Sequence, residues 1–352
     1  MPGNYKKRQE KITFDALVQT VNAEFAKISD QRRANATYKL TDFLRSTFAM
    51  FSLKTPSLLS FDERTKVESR NLKSIYQIEA IPSDTQMRAA LDPVEPAPLR
   101  QLFRTLFETL QTAGVIQAYH FWRDYVLVTV AGVEHFASRK IHCKQCSTRT
   151  LRDGTTEYFH AGLGAVLVNP AHEEVLPLDF EPILKQDGAK KNDCERNAAK
   201  RLCAARRERY PDLKIILVED ALYANAPHLC QIIEYGWRFI LNVKPDSHAR
   251  LEKQFAGRRA TGQVQEWSFT DAHGVKHDFA WTNGLYQNDS ALDVTVNDLR
   301  YEQTDRRHDA LDVGDEFAAQ PAYGRTPHAR RACALEDRER NVQYVEEPGL
   351  SF

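Results

Sequence analysis

The aspartate at position 220 is the best-placed residue in this sequence for catalysis. It follows Ile215–Glu219, an apolar run that predicts a strand buried on both faces of a sheet. Open α/β folds place their functional sites at the carboxyl edge of such strands. Asp220 is therefore a candidate catalytic residue. It also precedes Ala221-Leu222-Tyr223 and is equally suited to capping a helix, so both interpretations stay open here.

Two cysteines form a second candidate site. Cys143 and Cys146 have the C-x-x-C spacing of zinc ligands, and His142, His160 and Cys194 are further potential ligands. A structural zinc site needs four ligands, and only two of these residues have the usual spacing. The alternative is that the two cysteines are buried or unliganded thiols. Six cysteines of mixed spacing in a chain of this length do not indicate a disulfide framework.

A mixed sheet is the element expected to position Asp220. Three apolar runs predict buried strands, at Tyr125–Val130, Leu213–Glu219 and Trp237–Val243. The other predicted elements nearby are two strands and two helices, at Phe159–Val168, Glu174–Leu178, Asp193–Arg209 and Pro227–Tyr235. Strands followed by helix, strand, helix and strand predict an α+β or α/β fold, with helices on the faces of a mixed sheet.

Periodicity divides the chain into four parts. Residues 1–118 have apolar residues at helical spacing and predict a helical region. Residues 119–248 hold the predicted sheet and its helices. Residues 249–303 alternate around polar turns, which predicts a β-rich insertion. Residues 304–352 show no period and predict a disordered tail.

Net charge does not identify a partner, because 48 basic residues balance 48 acidic residues. Basic residues still cluster near the start of the chain and around the helix that precedes Leu213. They could follow a DNA phosphate backbone, although an exposed helix face has the same pattern. The candidate DNA contacts are Lys6, Lys7, Arg8, Lys190, Lys191, Lys200 and Arg201.

The sequence predicts a cytoplasmic protein without a membrane partner. No apolar run approaches the roughly 20 residues that a membrane-spanning helix needs. Met1–Glu10 is basic and polar, without the apolar segment of a signal peptide.

Five segments resemble a family of bacterial insertion-sequence transposases, the insertion-sequence-four-like enzymes of the RNase H-like DDE type. They are Ile81–Arg88, Ile141–Cys146, Gln186–Arg201, Val218–Pro227 and Phe239–Pro245, and the resemblance covers most of Thr41–Gln303. It implies an RNase H-like core over 119–248 and a DNA-binding role for 1–118. It also implies that the partner is DNA carrying the terminal repeats of the element. A homodimer is left open.

The resemblance further implies a metal site. Transposases of this type hold two Mg²⁺ or Mn²⁺ ions with two Asp and one Glu, and the ions activate a water or a 3′-hydroxyl against a phosphodiester. Asp220 matches the second carboxylate of this set. Ala131 stands where the family has its first, in an Asp-Gly-Thr motif, so one ligand is missing. Glu134 cannot replace it, because three residues further along an extended strand it projects to the other face.

The third carboxylate should lie on a helix after the β-rich insertion, in a motif that runs Arg-Trp-Lys-Ile-Glu-Asn-Glu. That motif does not occur in this sequence. When Ala334–Gly349 is translated back into permitted codons and the reading frame is shifted by one base, the motif appears in order. The same shift over Val313–Phe317 produces the family's strand before that helix. We infer a frameshift near Arg306–Asp312. Residues 304–352 would then be a tail never selected to fold, and the final catalytic helix would be lost.

The sequence thus predicts a DNA transposase by descent that no longer cuts or joins DNA. With one ligand of three, it is expected to bind Mg²⁺ or Mn²⁺ weakly. One alternative is a catalytically silent protein that still binds element ends. A second alternative is a metal-dependent nuclease that uses Asp220 with Glu219 and Asp193.

Overall fold

The chain divides into two compact units, Met1–Ala118 and Tyr119–Phe352. A computed structural model describes residues 12–32, 36–184, 194–243, 248–288, 291–305 and 342–345. The described part of the first unit is helical, and the second unit contains a sheet with helices.

Five α-helices are described in the first unit. They are α1 (Phe14–Phe25), α2 (Leu40–Ser52), α3 (Leu58–Tyr76), α4 (Asp84–Leu91) and α5 (Arg100–Thr112). Thr13 and Ser57 accept hydrogen bonds from backbone N–H groups of the first turns of α1 and α3, which explains where these helices begin. Val18, Val21 and Phe25 follow one face of α1 and are buried. Their spacing places them on the same side of the helix, which is the side that faces the core.

Over its described residues, the second unit is built on one 11-stranded sheet. The strands are β1 (His120–Trp122), β2 (Tyr125–Ser138), β3 (Ser147–Thr150), β4 (Thr156–Val168), β5 (Leu176–Ile183), β6 (Ile215–Glu219), β7 (Arg238–Val243), β8 (Gln265–Thr270), β9 (Val275–Asn288), β10 (Ala291–Asp305) and β11 (Val342–Val345). The helices are α6 (Glu195–Arg209), α7 (Ala226–Glu234) and α8 (Ala249–Ala260). Among the described helices of the whole chain, none combines the length and apolar content that crossing a bilayer would require.

Strand β2 is central to the part of the sheet that positions Asp220. It pairs antiparallel with β4 and parallel with β6, and β6 pairs parallel with β7. β5 pairs antiparallel with β4. Parallel neighbours need a crossover connection, and α7 connects β6 to β7. α6 precedes β6 and packs against β4 and β5. The predicted α+β fold with a mixed sheet is confirmed.

Side chains of the central strands alternate between two covered faces. Val126 and Val128 lie on one face and are fully buried. Leu127 lies on the other face and packs with Ile216 and Ile240. Burial on both faces explains why the sequences of these strands are unbroken apolar runs.

The segment that was predicted as a β-rich insertion begins with a helix. Strands β8, β9 and β10 form the predicted antiparallel meander, but α8 precedes them. Leu251 and Phe255, one turn apart, are the buried residues of α8. Two apolar positions are too few for a clear helical period, so the sequence pattern did not predict this helix.

Four residues of the predicted tail form a strand. β11 lies between β7 and β10 and is antiparallel to both. The sequence predicted no regular structure for 304–352, and the structure differs at these four residues and at Thr304 and Asp305, which end β10. Val342, Tyr344 and Val345 favour extended backbone, and the ladder uses main-chain groups that any sequence offers. Residues 306–341 and 346–352 lie outside the described residues.

Candidate functional site

Asp220 lies at the carboxyl end of β6, as the sequence predicted. It is exposed and stands at the N-cap of a short 3₁₀ turn, Ala221–Tyr223. One carboxylate oxygen accepts a hydrogen bond of 2.9 Å from the backbone N–H of Leu222. The carboxylate therefore caps a turn, and its catalytic role at the end of β6 stays a prediction.

Ala131 lies level with Asp220 on the neighbouring strand. The last paired residues of β2 and β6 are Thr129 and Val218, and Ala131 and Asp220 are each two residues further on. Residues two apart share a face of a strand, so the Cβ atoms of Ala131 and Asp220 project to the same face. We call the carboxyl end of β6 and the adjoining middle of β2, with Asp220 and Ala131, the sheet edge.

The space beside Ala131 is open. Ala131 is exposed and pairs with Gly164 of β4. A Cβ atom built on Gly164 would meet no atom within 4 Å. The sheet edge therefore has room for a larger side chain at position 131.

Glu195 approaches the sheet edge from the first turn of α6, on the opposite face. A Cβ atom built on Gly132 would lie 2.5 Å from its Oε1, and its Oε2 lies 3.4 Å from the Tyr223 hydroxyl. Burial and the nearby carboxylates raise the pKa of Tyr223 above its usual range. A carboxylate in the first turn of a helix is also favourable to the helix dipole. Gly132 beside Ala131 was the signal that a side chain packs there.

Glu219 is directed into the protein interior. It precedes Asp220 on an extended strand, so the two carboxylates project to opposite faces. Glu219 is buried, and its Oε2 lies 2.8 Å from His228 Nε2. Burial, followed by the negative charge of Glu219, raises the pKa of Cys203 to about 12.

The alternative nuclease set is therefore not assembled in the described part of the chain. Glu219 is on the other face from Asp220, and Asp193 lies outside the described residues. No trio of carboxylates converges within the ranges that the structure describes.

Cys143, Cys146 and His160 do converge. The two Sγ atoms lie 3.7 Å apart, and each is 3.3 Å from His160 Nε2. Cys143 is exposed, Cys146 is buried and His160 is half-buried. Burial raises the pKa of the Cys146 thiol and lowers the pKa of His160, which favours the neutral imidazole. The sequence predicted the cysteines as a candidate pair and named His160 among three further potential ligands, and His160 is the one that the structure brings to them.

The other predicted ligands of this cluster lie elsewhere. The His142 ring stacks on Tyr158, with 4.2 Å between centroids. Cys194 stands at the N-cap of α6. Glu134 forms an ion pair of 2.7 Å with Arg149 of β3.

Two of the predicted DNA contacts lie on described residues. Lys200 and Arg201 are adjacent on α6, where Lys200 is exposed and Arg201 forms an ion pair of 2.6 Å with Glu181. The remaining candidates lie outside the described residues: Lys6, Lys7, Arg8, Lys190 and Lys191.

A comparison of this chain with models of known protein families and with curated proteins finds no match.

Proposed function

We propose that this protein is a DNA transposase by descent, of the RNase H-like DDE type, and that it does not cleave DNA. The observation that carries the proposal is the register of the sheet edge. Ala131 stands beside Asp220, on the same face and just past the point where the parallel pairing of β2 with β6 ends, where a two-metal site would need a second carboxylate.

The strand order supports an RNase H-like core. From β5 the order runs through β4, β2 and β6 to β7, with β6 and β7 parallel to β2 and with β4 antiparallel to it. Three antiparallel strands followed by two parallel strands and their helices are the arrangement expected of that core. In such a core the end of the first strand and the end of the fourth carry the first two carboxylates.

The missing ligand accounts for the proposed lack of activity. Two-metal phosphoryl transfer needs ions roughly 3.5–4 Å apart, held by carboxylates on more than one element. Neighbouring strands are about 4.8 Å apart, so aspartates at both 131 and 220 could share an ion. Ala131 offers no ligand, and Glu195 approaches from the other face.

The proposed loss of the third carboxylate rests on the sequence of the tail. Residues 306–341, where the frameshift is inferred, lie outside the described residues. Strand β11 is compatible with a frameshift, because backbone ladder hydrogen bonds do not depend on selected side chains.

DNA carrying the terminal repeats of the element is the proposed substrate of the ancestor and a binding partner for this chain. Binding through basic side chains releases counterions, so affinity should fall steeply with salt. Salt-dependent binding of such DNA without cleavage would favour the alternative of a catalytically silent DNA-binding protein. Absence of binding would indicate a remnant that no longer recognises DNA.

Cleavage of labelled terminal-repeat DNA in Mg²⁺ tests the proposal. The native chain, Ala131→Asp alone and the frame-restored chain alone should all be inactive, because each lacks at least one carboxylate. The chain with both repairs should cut the DNA, and adding Asp220→Asn to it should abolish cutting. Cleavage by the native chain, or by Ala131→Asp alone, would show that the missing ligands are wrongly assigned.

A further inference from the structure

We propose that Cys143, Cys146 and His160 bind a zinc ion. The site is separate from the sheet edge and does not depend on the proposed function. Phe136, the pairing partner of His160, is five residues along β2 from Ala131, which corresponds to about 17 Å of extended chain. We call the part of the β2–β4 hairpin that contains this site, residues 134–161, the hairpin arm.

The ligand atoms have the spacing of a tetrahedral zinc site. With Zn–S near 2.3 Å and Zn–N near 2.0–2.1 Å, tetrahedral angles place two sulfurs about 3.8 Å apart and a sulfur and a nitrogen about 3.6 Å apart. The corresponding distances here are 3.7 Å between the sulfurs and 3.3 Å from each sulfur to Nε2. A zinc ion therefore needs only small movements of the three side chains.

Backbone N–H groups are directed at both sulfurs. The N–H of Cys143 donates to Cys146 Sγ, and the N–H of Gln145 donates to Cys143 Sγ, each at 3.3 Å. Hydrogen bonds of this kind are stronger to a thiolate than to a neutral thiol. The two bonds therefore favour the thiolate, the form of cysteine that binds metal, against the burial that opposes it at Cys146.

The strand ladder brings the ligands together. Ser147 follows Cys146 directly, begins β3 and pairs with Phe159 of β4, the residue before His160. The register between β3 and β4 therefore fixes the position of the cysteine pair relative to the histidine. Zinc binding would then require little ordering of the chain, which lowers its entropic cost.

The chemistry of the ligands selects zinc over the ions proposed for the sheet edge. Thiolate and imidazole ligands suit Zn²⁺, whereas Mg²⁺ and Mn²⁺ prefer oxygen. Binding displaces the two thiol protons to solvent, and two thiolates with Zn²⁺ form a neutral group. Cys143 is exposed, so a water molecule can complete the fourth position. The ion would fasten the loop after β2 to β4.

Metal content and cobalt spectroscopy test the site in the full chain. Protein purified under reducing conditions without chelators should hold about one zinc per chain. Replacing zinc with Co²⁺ should produce a sulfur-to-cobalt charge-transfer band and the visible bands of tetrahedral coordination. Cys143→Ser, Cys146→Ser and His160→Asn should each lower zinc affinity at least tenfold. Cys230→Ser, which removes an exposed cysteine on α7, is the matched control and should change nothing.

Three results would overturn the proposal. One is a native chain without stoichiometric zinc or a cobalt–sulfur band. Another is unchanged zinc affinity in Cys143→Ser, an exposed position where folding should survive. The last is a Cys143–Cys146 disulfide in protein that was kept reduced throughout. The zinc content and the Co²⁺ spectrum are measured on the native chain. They therefore test the proposal even if a variant fails to fold.

Discussion

The sheet edge and the hairpin arm differ in what their polar side chains do. At the sheet edge, Asp220 caps a turn, Glu219 pairs with His228 in the interior, and Glu195 packs against Gly132 from the other face. Each carboxylate has its own local role, and none shares a site with another. On the hairpin arm, three potential ligands from two segments meet around one point. Residues that could bind a metal or act in catalysis therefore form a site only where strand register and strand face bring their side chains together.

The largest expected effect is a difference in stability between variants of the two adjacent carboxylates, Glu219 and Asp220. Glu219→Ala leaves the buried His228 without its partner, and losing a buried hydrogen bond to a charged group costs up to about 3 kcal/mol. Asp220→Asn keeps an oxygen for the Leu222 N–H and should change the free energy of unfolding little. Urea denaturation measures both. Equal losses would contradict the assignment of the two side chains to opposite faces.

Zinc should stabilise the native chain through the hairpin arm. A ligand that binds only the folded state adds about 2.7 kcal/mol when its free concentration is 100 times its Kd. Thermal unfolding with and without buffered zinc should show this shift in the native chain and in Cys230→Ser. Cys143→Ser should not show it. A shift of the same size in Cys143→Ser would place the stabilising zinc elsewhere.

A second carboxylate at the sheet edge should let β2 and β6 bind one metal ion jointly. Ala131→Asp places a second carboxylate beside Asp220 in open space. Mn²⁺ affinity should rise at least tenfold, equivalent to about 1.4 kcal/mol, by calorimetric titration. Combining Ala131→Asp with Asp220→Asn should remove most of the gain. If the gain persists in the combined variant, the two positions do not share a metal ion.

The smallest effect concerns the contact between β2 and α6. Gly132→Ala would crowd the Glu195 carboxylate, whose flexible end can move, so the cost should be about 1 kcal/mol, at the low end for overpacking. Gly164→Ala meets no atom and serves as the matched control on the neighbouring strand. Adding Glu195→Ala to Gly132→Ala should recover part of the loss. No coupling between the two substitutions in a double-mutant cycle would mean that the contact is not made.

Local sequence pattern predicted the elements of the sheet edge well. The unbroken apolar runs predicted β6 and β7, and the carboxylate after Glu219 marked the strand end where Asp220 lies. These features depend on residues close together in the chain. A strand buried on both faces needs a continuous apolar run, so its sequence shows its place in the sheet.

Contacts between distant residues were beyond the sequence pattern. His160 lies beside Cys146 only because β4 pairs with β2 and β3 in one register, and a slip of one residue would turn its ring to the other face. Glu195 reaches Gly132 through the packing of a helix on the sheet. Neither contact leaves a periodic signal in the chain.

Strand β11 has a consequence for the order in which the sheet can form. It pairs with both β7 and β10, although residues 306–341 separate it from β10 along the chain. Until it arrives, β7 and β10 each present an unpaired edge, and such edges are templates for pairing with another chain. The pairing of β11 with β7 also spans a long stretch of sequence, and contacts of that kind form slowly. The newly synthesised protein would therefore be most prone to association before β11 joins the sheet.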